Sequence, residues 1–447
     1  MPLPPWTVEL LRRSITDVAR KASEPETLEK IKKQATEILQ DLPATAARSI
    51  DAVMRTAEAG KRTVEETVDR WTRKQNAVEM INASGVLMHD LGSGVPLSEK
   101  SIQAGNELLR GDLCGGVHSA PSASDSLCRR VEALLPGDAE YGVAIASNFA
   151  AAMTAFSQLV QERELVIHRS HAVRLPNGQP LPDAFGTLLP VIQEVGSVGD
   201  VSVSDYDGIE SFCTIMADAG KAPVEYQDFG DRDAMQAVVL PVATFVQSCH
   251  TSIPSASTAL ANGADFVLMP GGGVCGGPEC GLLIGRKDAL ATIVSSPAWP
   301  ALRASDALQA MLAVSLESIA ADPESCPIHA LLDTAIENLN SRAERMAARF
   351  AGSDDIEACR ITENDALLTK GGQWKIASRQ LVLKHRELNA ADWSKKLQEN
   401  DPAVVAEVSA DEIKIDLRWV NPARDNQLAT LLSGQTSEGN VDTNESS

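Results

Sequence analysis

The chain has 447 residues and a formal net charge of −21 at pH 7, and this length allows two or three domains with a large core. Binding along a nucleic-acid backbone needs clustered Lys and Arg, so the overall charge argues against DNA as a partner. No apolar run is long enough to cross a bilayer, and the first residues lack the pattern of a secretory signal. We therefore expect a cytoplasmic protein that makes no membrane contact.

The N-terminal segment differs in charge from the rest of the chain. Residues 1–80 contain 14 basic and 13 acidic residues, so the acidic excess lies beyond them. Two amphipathic patterns, one beginning at the cap Ser23 and one running from about Ala47 to Trp71, predict helices. We expect a helical domain over residues 1–75 and, if the protein contacts RNA, contact through this domain. Solvated helix faces explain the same charges equally simply.

Strand-like and helix-like runs alternate from residue 76 onward. "YGVAIAS" precedes "NFAAAMTAFSQLVQ", "AVVLPVATFV" precedes "IPSASTALANGA", and "DFVLM" precedes a glycine-rich stretch. This alternation predicts a mostly parallel sheet in a large α/β domain over 76–319. Shorter strands such as "DEIKIDLRWV" predict a small α+β domain over 320–432, and the polar residues 433–447 predict a disordered tail.

The stretch "DFVLMPGGGVCGGPECG" places six glycines within eleven residues, 271–281. It matches a dinucleotide fingerprint formally, but a strand-like run follows instead of a helix, and no acidic residue occurs in 289–305. Cys275 and Cys280 match no common metal spacing, so we interpret them as packing residues. The eight scattered cysteines predict reduced thiols.

Two further stretches allow two interpretations each. Ser147 and Asn148 follow a strand and begin a helix, so the free amides there either face an anion or form an ordinary capped helix. "IHRSHAVRL" contains His168, Arg169 and His171. This cluster either binds a phosphate or carboxylate, or forms a polar surface turn.

The order and spacing of several segments resemble a known family. "INASGVLMHDLGSGVPL", "GADFVLMPGGGVCGGPECGLLIGRKD", "SPAWPALRASDALQAMLAVSL" and "IKIDLRWV" look like successive segments of bacterial selenocysteine synthase, L-seryl-tRNA(Sec) selenium transferase, over roughly residues 75–425. The resemblance implies the aminotransferase-like fold of pyridoxal phosphate enzymes (fold type I). It also implies pyridoxal phosphate as cofactor, an N-terminal domain that grips tRNA, and a homodimer or a larger ring of dimers.

The same resemblance identifies candidate site residues and the positions where this sequence departs from the family's pattern. The family's Schiff-base lysine aligns with Gly273, and the Asp that pairs with the pyridine nitrogen aligns with Pro241. No lysine lies between Lys221 and Lys287, so a small shift in alignment restores none. The positions that persist are those implied to bind the cofactor, Ser147, Asn148, Phe149, Gly276 and Gly277, and those implied to bind substrate, Arg169 and Arg303.

Three functions are compatible with these residues. The favoured one is a selenocysteine synthase-like protein that has lost Schiff-base chemistry and acts as a binding or scaffold homologue. The alternative is an active pyridoxal phosphate-dependent transferase or lyase acting on seryl-tRNA or a phosphorylated amino compound. That enzyme needs another amine, from Lys287 or from a neighbouring subunit. A third is a lysine-free enzyme that uses Cys275, Cys280 or His171.

Overall fold

In this computed structural model, the described residues are 78–91, 95–111, 123–135, 140–175, 178–186, 188, 192–218, 224–245, 253–322, 325–370 and 374–434. The chain divides into two units at Val78/Glu79, and the first lies outside the described residues except for Val78. The predicted helical domain over 1–75 and nearly all of the predicted tail over 433–447 therefore also lie outside them.

The strands are numbered in chain order. They are β1 (Met80–Ala83), β2 (Val86–Met88), β3 (Tyr141–Ala146), β4 (Glu164–His168), β5 (Ile192–Val195), β6 (Ser211–Ala217), β7 (Asp233–Val239), β8 (Phe266–Pro270), β9 (Gly281–Arg286), β10 (Ile356–Thr362), β11 (Asp365–Thr369), β12 (Lys375–Ala377), β13 (Gln380–His385), β14 (Ala403–Ser409) and β15 (Glu412–Asp416).

The α-helices are numbered in the same way. They are α1 (Glu99–Leu109), α2 (Ala123–Glu132), α3 (Phe149–Leu159), α4 (Leu181–Gly186), α5 (Ala256–Ala261), α6 (Lys287–Val294), α7 (Trp299–Leu302), α8 (Asp306–Ala321), α9 (Pro327–Leu332), α10 (Ile336–Phe350), α11 (Ala390–Gln398) and α12 (Asp425–Leu432). None of the helices in the described part of the chain combines the length and apolar character that a bilayer crossing requires.

A seven-stranded sheet forms the centre of the large α/β part. Its strand order is β3-β9-β8-β7-β6-β4-β5, and β9 is antiparallel to both of its neighbours while the other pairings are parallel. The carboxyl ends of the six parallel strands therefore share an edge with the beginning of β9. Ligands of such sheets bind at this edge.

Both faces of this sheet are covered by apolar side chains, as the alternation along β8 illustrates. Val267 and Met269 join a core with α2, α5 and α8 on one face, whereas Phe266 and Leu268 join a core with α3, α4 and α6 on the other. Successive strand side chains point to opposite faces. This is why the strand reads as a continuous apolar run in the sequence.

The C-terminal part contains two smaller sheets, and both recruit strands from the beginning of the second unit. The five-stranded sheet has the order β1-β14-β15-β13-β10, and the three-stranded sheet has the order β12-β11-β2. Strand β1 pairs in parallel with β14, and β2 pairs in parallel with β11. The segment predicted as one large domain, 76–319, therefore supplies its first two strands to the part predicted as 320–432. Local patterns carry no information about partners that are more than 270 residues away.

A buried arginine connects several elements of this C-terminal part. The Arg342 guanidinium donates to both carboxylate oxygens of Asp425, over 2.7 and 2.9 Å, and to the backbone carbonyls of Leu417 and Val420. Arg342 is 4% exposed. Since a buried charge without partners is strongly unfavourable, this network ties α10 to α12 and to the chain after β15.

Candidate functional site

A pocket of about 270 Å³ opens where β7 and β8 end, at the carboxyl edge of the large sheet. Its walls come from β2, the first turn of α3, the segments that follow β4 and β7, and the glycine-rich loop after β8. The lining residues are Met88, Phe149, Leu175, Pro241, Val242, Ala243, Pro270, Gly272, Gly273, Val274 and Glu279. Its position agrees with the binding edge of open α/β sheets, so it is the candidate site.

The glycine-rich loop forms the floor of this pocket. Gly273 begins a short 3-10 turn and has a φ of +61°, a left-handed conformation that costs a residue with a side chain about 1–2 kcal/mol. A Cβ at Gly273 would lie 3.3 Å from the Sδ atom of Met88. A lysine at 273 would therefore be strained, and its stem would meet the methionine.

Gly276 and Gly277, which the resemblance assigns to cofactor binding, serve packing in this structure. A Cβ on Gly276 would lie 2.8 Å from the Cys326 sulfur, and one on Gly277 would lie 2.3 Å from Leu312 and 2.7 Å from the Gly271 carbonyl. Neither glycine lines the pocket. They let the loop lie against α8 and the beginning of α9.

The wall opposite the glycine loop is apolar. Pro241 follows β7 and is buried, and Val242 and Ala243 are each 1% exposed. Proline has neither an N–H nor a polar side chain. This wall therefore offers a ligand no carboxylate at the position where the resemblance implies one.

The residues Ser147, Asn148 and Phe149 form the start of α3, beside the pocket. The Asn148 side chain caps the helix by accepting from the Ala151 amide at 2.8 Å, and the Ser147 amide donates to the Leu302 carbonyl at 2.7 Å. Phe149 lines the pocket. The helix is thus capped in the ordinary way, and Phe149 is the residue of its first turn that lines the pocket.

Strand β9 approaches this helix start closely. A Cβ on Gly281 would lie 2.1 Å from the Asn148 carbonyl oxygen. Because the colliding atom belongs to the backbone, only glycine fits there without displacing α3.

The two arginines predicted to bind substrate are engaged elsewhere. Arg169 donates to the Gly196 carbonyl and lies 3.7 Å from a carboxylate oxygen of Glu194. Arg303 pairs with Asp306 at 2.7 Å. Neither arginine lines the pocket, although the Arg303 backbone bridges to Ala146 at the end of β3.

The alternative catalytic groups are buried. Cys275 and Cys280 belong to the core on the α8 side of the sheet, and burial raises the pKa of the Cys280 thiol to about 12 and holds the pKa of Cys275 well above its usual range. His171 donates to the Ala217 carbonyl, and burial lowers its pKa. Neutral thiols are poor nucleophiles, so this geometry does not favour cysteine catalysis.

Lys287 lies at the other edge of the sheet. It begins α6 at the far end of β9, its amide donates to the Glu140 carbonyl, and its ammonium is 3.0 Å from a carboxylate oxygen of Glu132. A six-residue strand spans about 20 Å, and it separates this ammonium from the pocket. Lys287 is therefore not the amine of this site.

The fold resembles a solved structure over most of the chain. The structure of D-glucosaminate-6-phosphate ammonia-lyase matches with a TM-score of 0.55 at 14% identity, and the match covers 81% of this chain and 97% of the other. As the sequence predicted, the chain has the aminotransferase-like fold of pyridoxal phosphate enzymes, fold type I.

Sequence comparison finds a similarity to one protein family over part of the chain. The model of the family described as L-seryl-tRNA selenium transferase matches residues 242–421, which include the pocket loop and the last strands. Over this part the chain is similar to the L-seryl-tRNA(Sec) selenium transferases.

The sequence identity to two of these transferases is low. The one from Aquifex aeolicus is 22% identical over 374 residues, which are 78% of this chain and 82% of that protein. The one from Moorella thermoacetica is 26% identical over 336 residues, 69% and 70% of the two chains.

This relationship to the selenium transferases implies pyridoxal phosphate, and the pocket residues do not fit its covalent attachment. Such enzymes hold the cofactor through a lysine and pair its pyridine nitrogen with an acidic or basic partner. Here the lining contains no lysine, the loop residue at 273 is left-handed, and the facing wall begins with Pro241.

Of the eleven lining residues, sequence reasoning singled out Phe149, Pro241 and Gly273, and Met88, Leu175 and Glu279 are among the eight that it did not. Met88 and Leu175 belong to apolar runs that carry no signal of a site. Glu279 is the acidic residue within the glycine-rich loop, and an acid among glycines at a strand end was the available clue.

Proposed function

We propose that this protein is a selenocysteine synthase-like homologue that has lost Schiff-base chemistry and uses the pocket to bind a ligand without a covalent bond. The observation that carries the proposal is the pocket floor, where the left-handed Gly273 abuts Met88. An amine is needed at this place because a lysine is displaced by the incoming amino substrate and then moves protons. Glycine supplies neither function.

The rest of the wall supports the same conclusion. Pro241 has no acidic group that could keep the pyridine nitrogen of a bound cofactor protonated. Arg169 and Arg303 are paired with carboxylates outside the pocket. Loss of one group is compatible with rescue from a nearby residue. Changes in the amine, the acid and the arginines together favour a change of role.

The alternative is an active pyridoxal phosphate-dependent transferase or lyase that acts on seryl-tRNA or a phosphorylated amino compound. It requires an amine from elsewhere, either from a neighbouring subunit of a dimer or ring or from Lys370. Lys370 follows β11, whose Thr369 pairs with the pocket residue Met88. Its ammonium is held 2.7 Å from Asp90, which opposes this use. Assembly into a dimer or ring and tRNA contact through residues 1–75 remain parts of this proposal.

Reduction with borohydride tests the proposal. The purified protein is mixed with pyridoxal phosphate, treated with borohydride and mapped by mass spectrometry, with the urea-unfolded chain as a control for surface reactivity. We expect scattered substoichiometric labelling that does not exceed the control at any one lysine. Stoichiometric labelling of a single lysine, with Lys370 the first to inspect, would show that the proposal is wrong.

A further inference from the structure

The pocket contains one ionisable side chain, and it has no partner. Among the lining residues, Glu279 is the only charged one, and the others are apolar or glycine. Its carboxylate makes no ion pair or hydrogen bond with any residue in the described ranges. The side chain is exposed at the mouth, so its charge is hydrated rather than buried without compensation.

The glycine loop places this carboxylate. A Cβ on Gly272 would lie 2.9 Å from the Oε1 atom of Glu279, so the carboxylate lies directly against the Cα atom of that glycine. Gly272 has a φ of −86°, which any residue can adopt. The absence of a side chain at 272 therefore provides space for Glu279 and is not required by the backbone.

The one charged side chain that lines the pocket is negative, which favours a positively charged ligand. Arg169 and Arg303 are paired with Glu194 and Asp306, and neither lines the pocket. An ammonium group complements an unpaired carboxylate, and the apolar walls complement a hydrocarbon body.

The size of the pocket limits the ligand. Its volume of about 270 Å³ lies just below the range of small-molecule sites, roughly 300–1,000 Å³. A body of six to eight carbon atoms, on the order of one cyclohexyl group, is compatible with such a space.

We infer that the pocket binds a small apolar amine, with the ammonium at Glu279 and the hydrocarbon between Phe149 and Val242. This inference rests on the proposed function, because the same space would otherwise hold a covalently bound cofactor. The charge of the site is thereby reversed: the implied lysine would hold a carbonyl compound, whereas this carboxylate holds an amine.

Two probes of equal shape test the inference. Cyclohexylmethylamine and cyclohexylmethanol are titrated into the protein, and binding is followed by calorimetry and ligand-observed NMR. We expect the amine to bind about fivefold more tightly than the alcohol, which is the upper range for a solvent-exposed ion pair. This preference should shrink at about 0.5 M salt because exposed charges are screened.

Three variants locate the contact. Glu279→Gln should remove the preference for the amine over the alcohol, and Gly272→Ala should reduce this preference by displacing the carboxylate. Glu344→Gln, an exposed glutamate on α10, makes the same change in net charge and should behave like the wild type. Equal binding of the two probes, no binding of either, or a preference that survives in Glu279→Gln would overturn the inference.

The outcome is separable from that of the proposed function. A stoichiometrically labelled lysine in the borohydride experiment overturns the proposed function whatever the amine does. Failure of amine binding without such labelling overturns the amine inference alone.

Discussion

The C-terminal part and the pocket treat charge in opposite ways. In the C-terminal part, the buried Arg342 guanidinium donates to the half-buried Asp425 carboxylate and to two backbone carbonyls. In the pocket, the walls are apolar and the one charged residue, Glu279, stands in solvent. The comparison teaches that a buried charge stands where it joins helices and strands, and that the lysine and the aspartate implied at the cofactor site are absent from the pocket lining.

Breaking the buried pair is the largest expected perturbation. Asp425→Ala leaves the Arg342 guanidinium buried without its carboxylate, and loss of one partner of such a pair typically costs about 3–5 kcal/mol. Urea unfolding followed by circular dichroism measures the change. The control is Glu412→Gln, which removes the carboxylate partner of the exposed Arg360 and should cost at most about 1 kcal/mol. Similar losses in both variants would contradict the contrast between buried and exposed pairs.

Crowding at the edge of the pocket should cause the next largest loss of stability. Gly281→Ala places a methyl group against the Asn148 carbonyl, and overpacking of this kind costs about 1–3 kcal/mol. We expect the upper end because the backbone has to move. Gly186→Ala is the control, since its Cβ meets nothing closer than 3.9 Å. A Gly281→Ala protein as stable as the wild type would show that α3 can shift freely.

Backbone strain at the pocket floor should have a smaller effect on stability. Gly273→Ala and Gly273→Lys should each lower the free energy of unfolding by about 1–2 kcal/mol, because both place a side chain on a left-handed residue. Thermal and urea unfolding measure it. If restoring the lysine stabilised the protein, the floor would not have the geometry described here.

The smallest expected effect concerns pH. Burial lowers the pKa of His171 below its usual value of 6.5, so between these two pKa values the unfolded chain binds a proton that the folded chain does not. Stability from this residue is therefore complete above pH 6.5 and falls as the pH drops, by at most about 1.4 kcal/mol per pH unit. His171→Gln should show a shallower decrease below pH 6.5 in urea unfolding across pH. An unchanged slope would mean that His171 titrates alike in both states.

Much of the fold could be predicted because local patterns of apolar residues and helix caps determine many of its strands and helices. The alternation of Ile413, Ile415 and Leu417 predicted a strand, and all three side chains are fully buried. The apolar run before the glycines is β8, and the helix-like run "NFAAAMTAFSQLVQ" contains α3, which Asn148 caps. The partners of β1 and β2 were beyond reach, since pairing across the chain leaves no trace in either segment.

The site could be predicted only in part. Ser147 to Phe149 lie beside the pocket, because a strand followed by a capped helix is a local signal. Gly276 and Gly277 pack against α8 instead of lining the pocket, and a glycine does not reveal whether its space is filled by ligand or by protein. Arg169 and Arg303 meet carboxylates whose proximity only the folded chain creates.

The parallel pairing of β1 with β14 also constrains how the protein can be made. Residues 80–83 leave the ribosome more than 300 residues before residues 403–406, with which they pair. Contacts so distant in sequence slow folding. Strand edges that are still unpaired promote aggregation until the partner strand has been made. The five-stranded sheet can therefore close only at the end of synthesis, and a nascent chain stalled near residue 400 should expose β1 to chaperones.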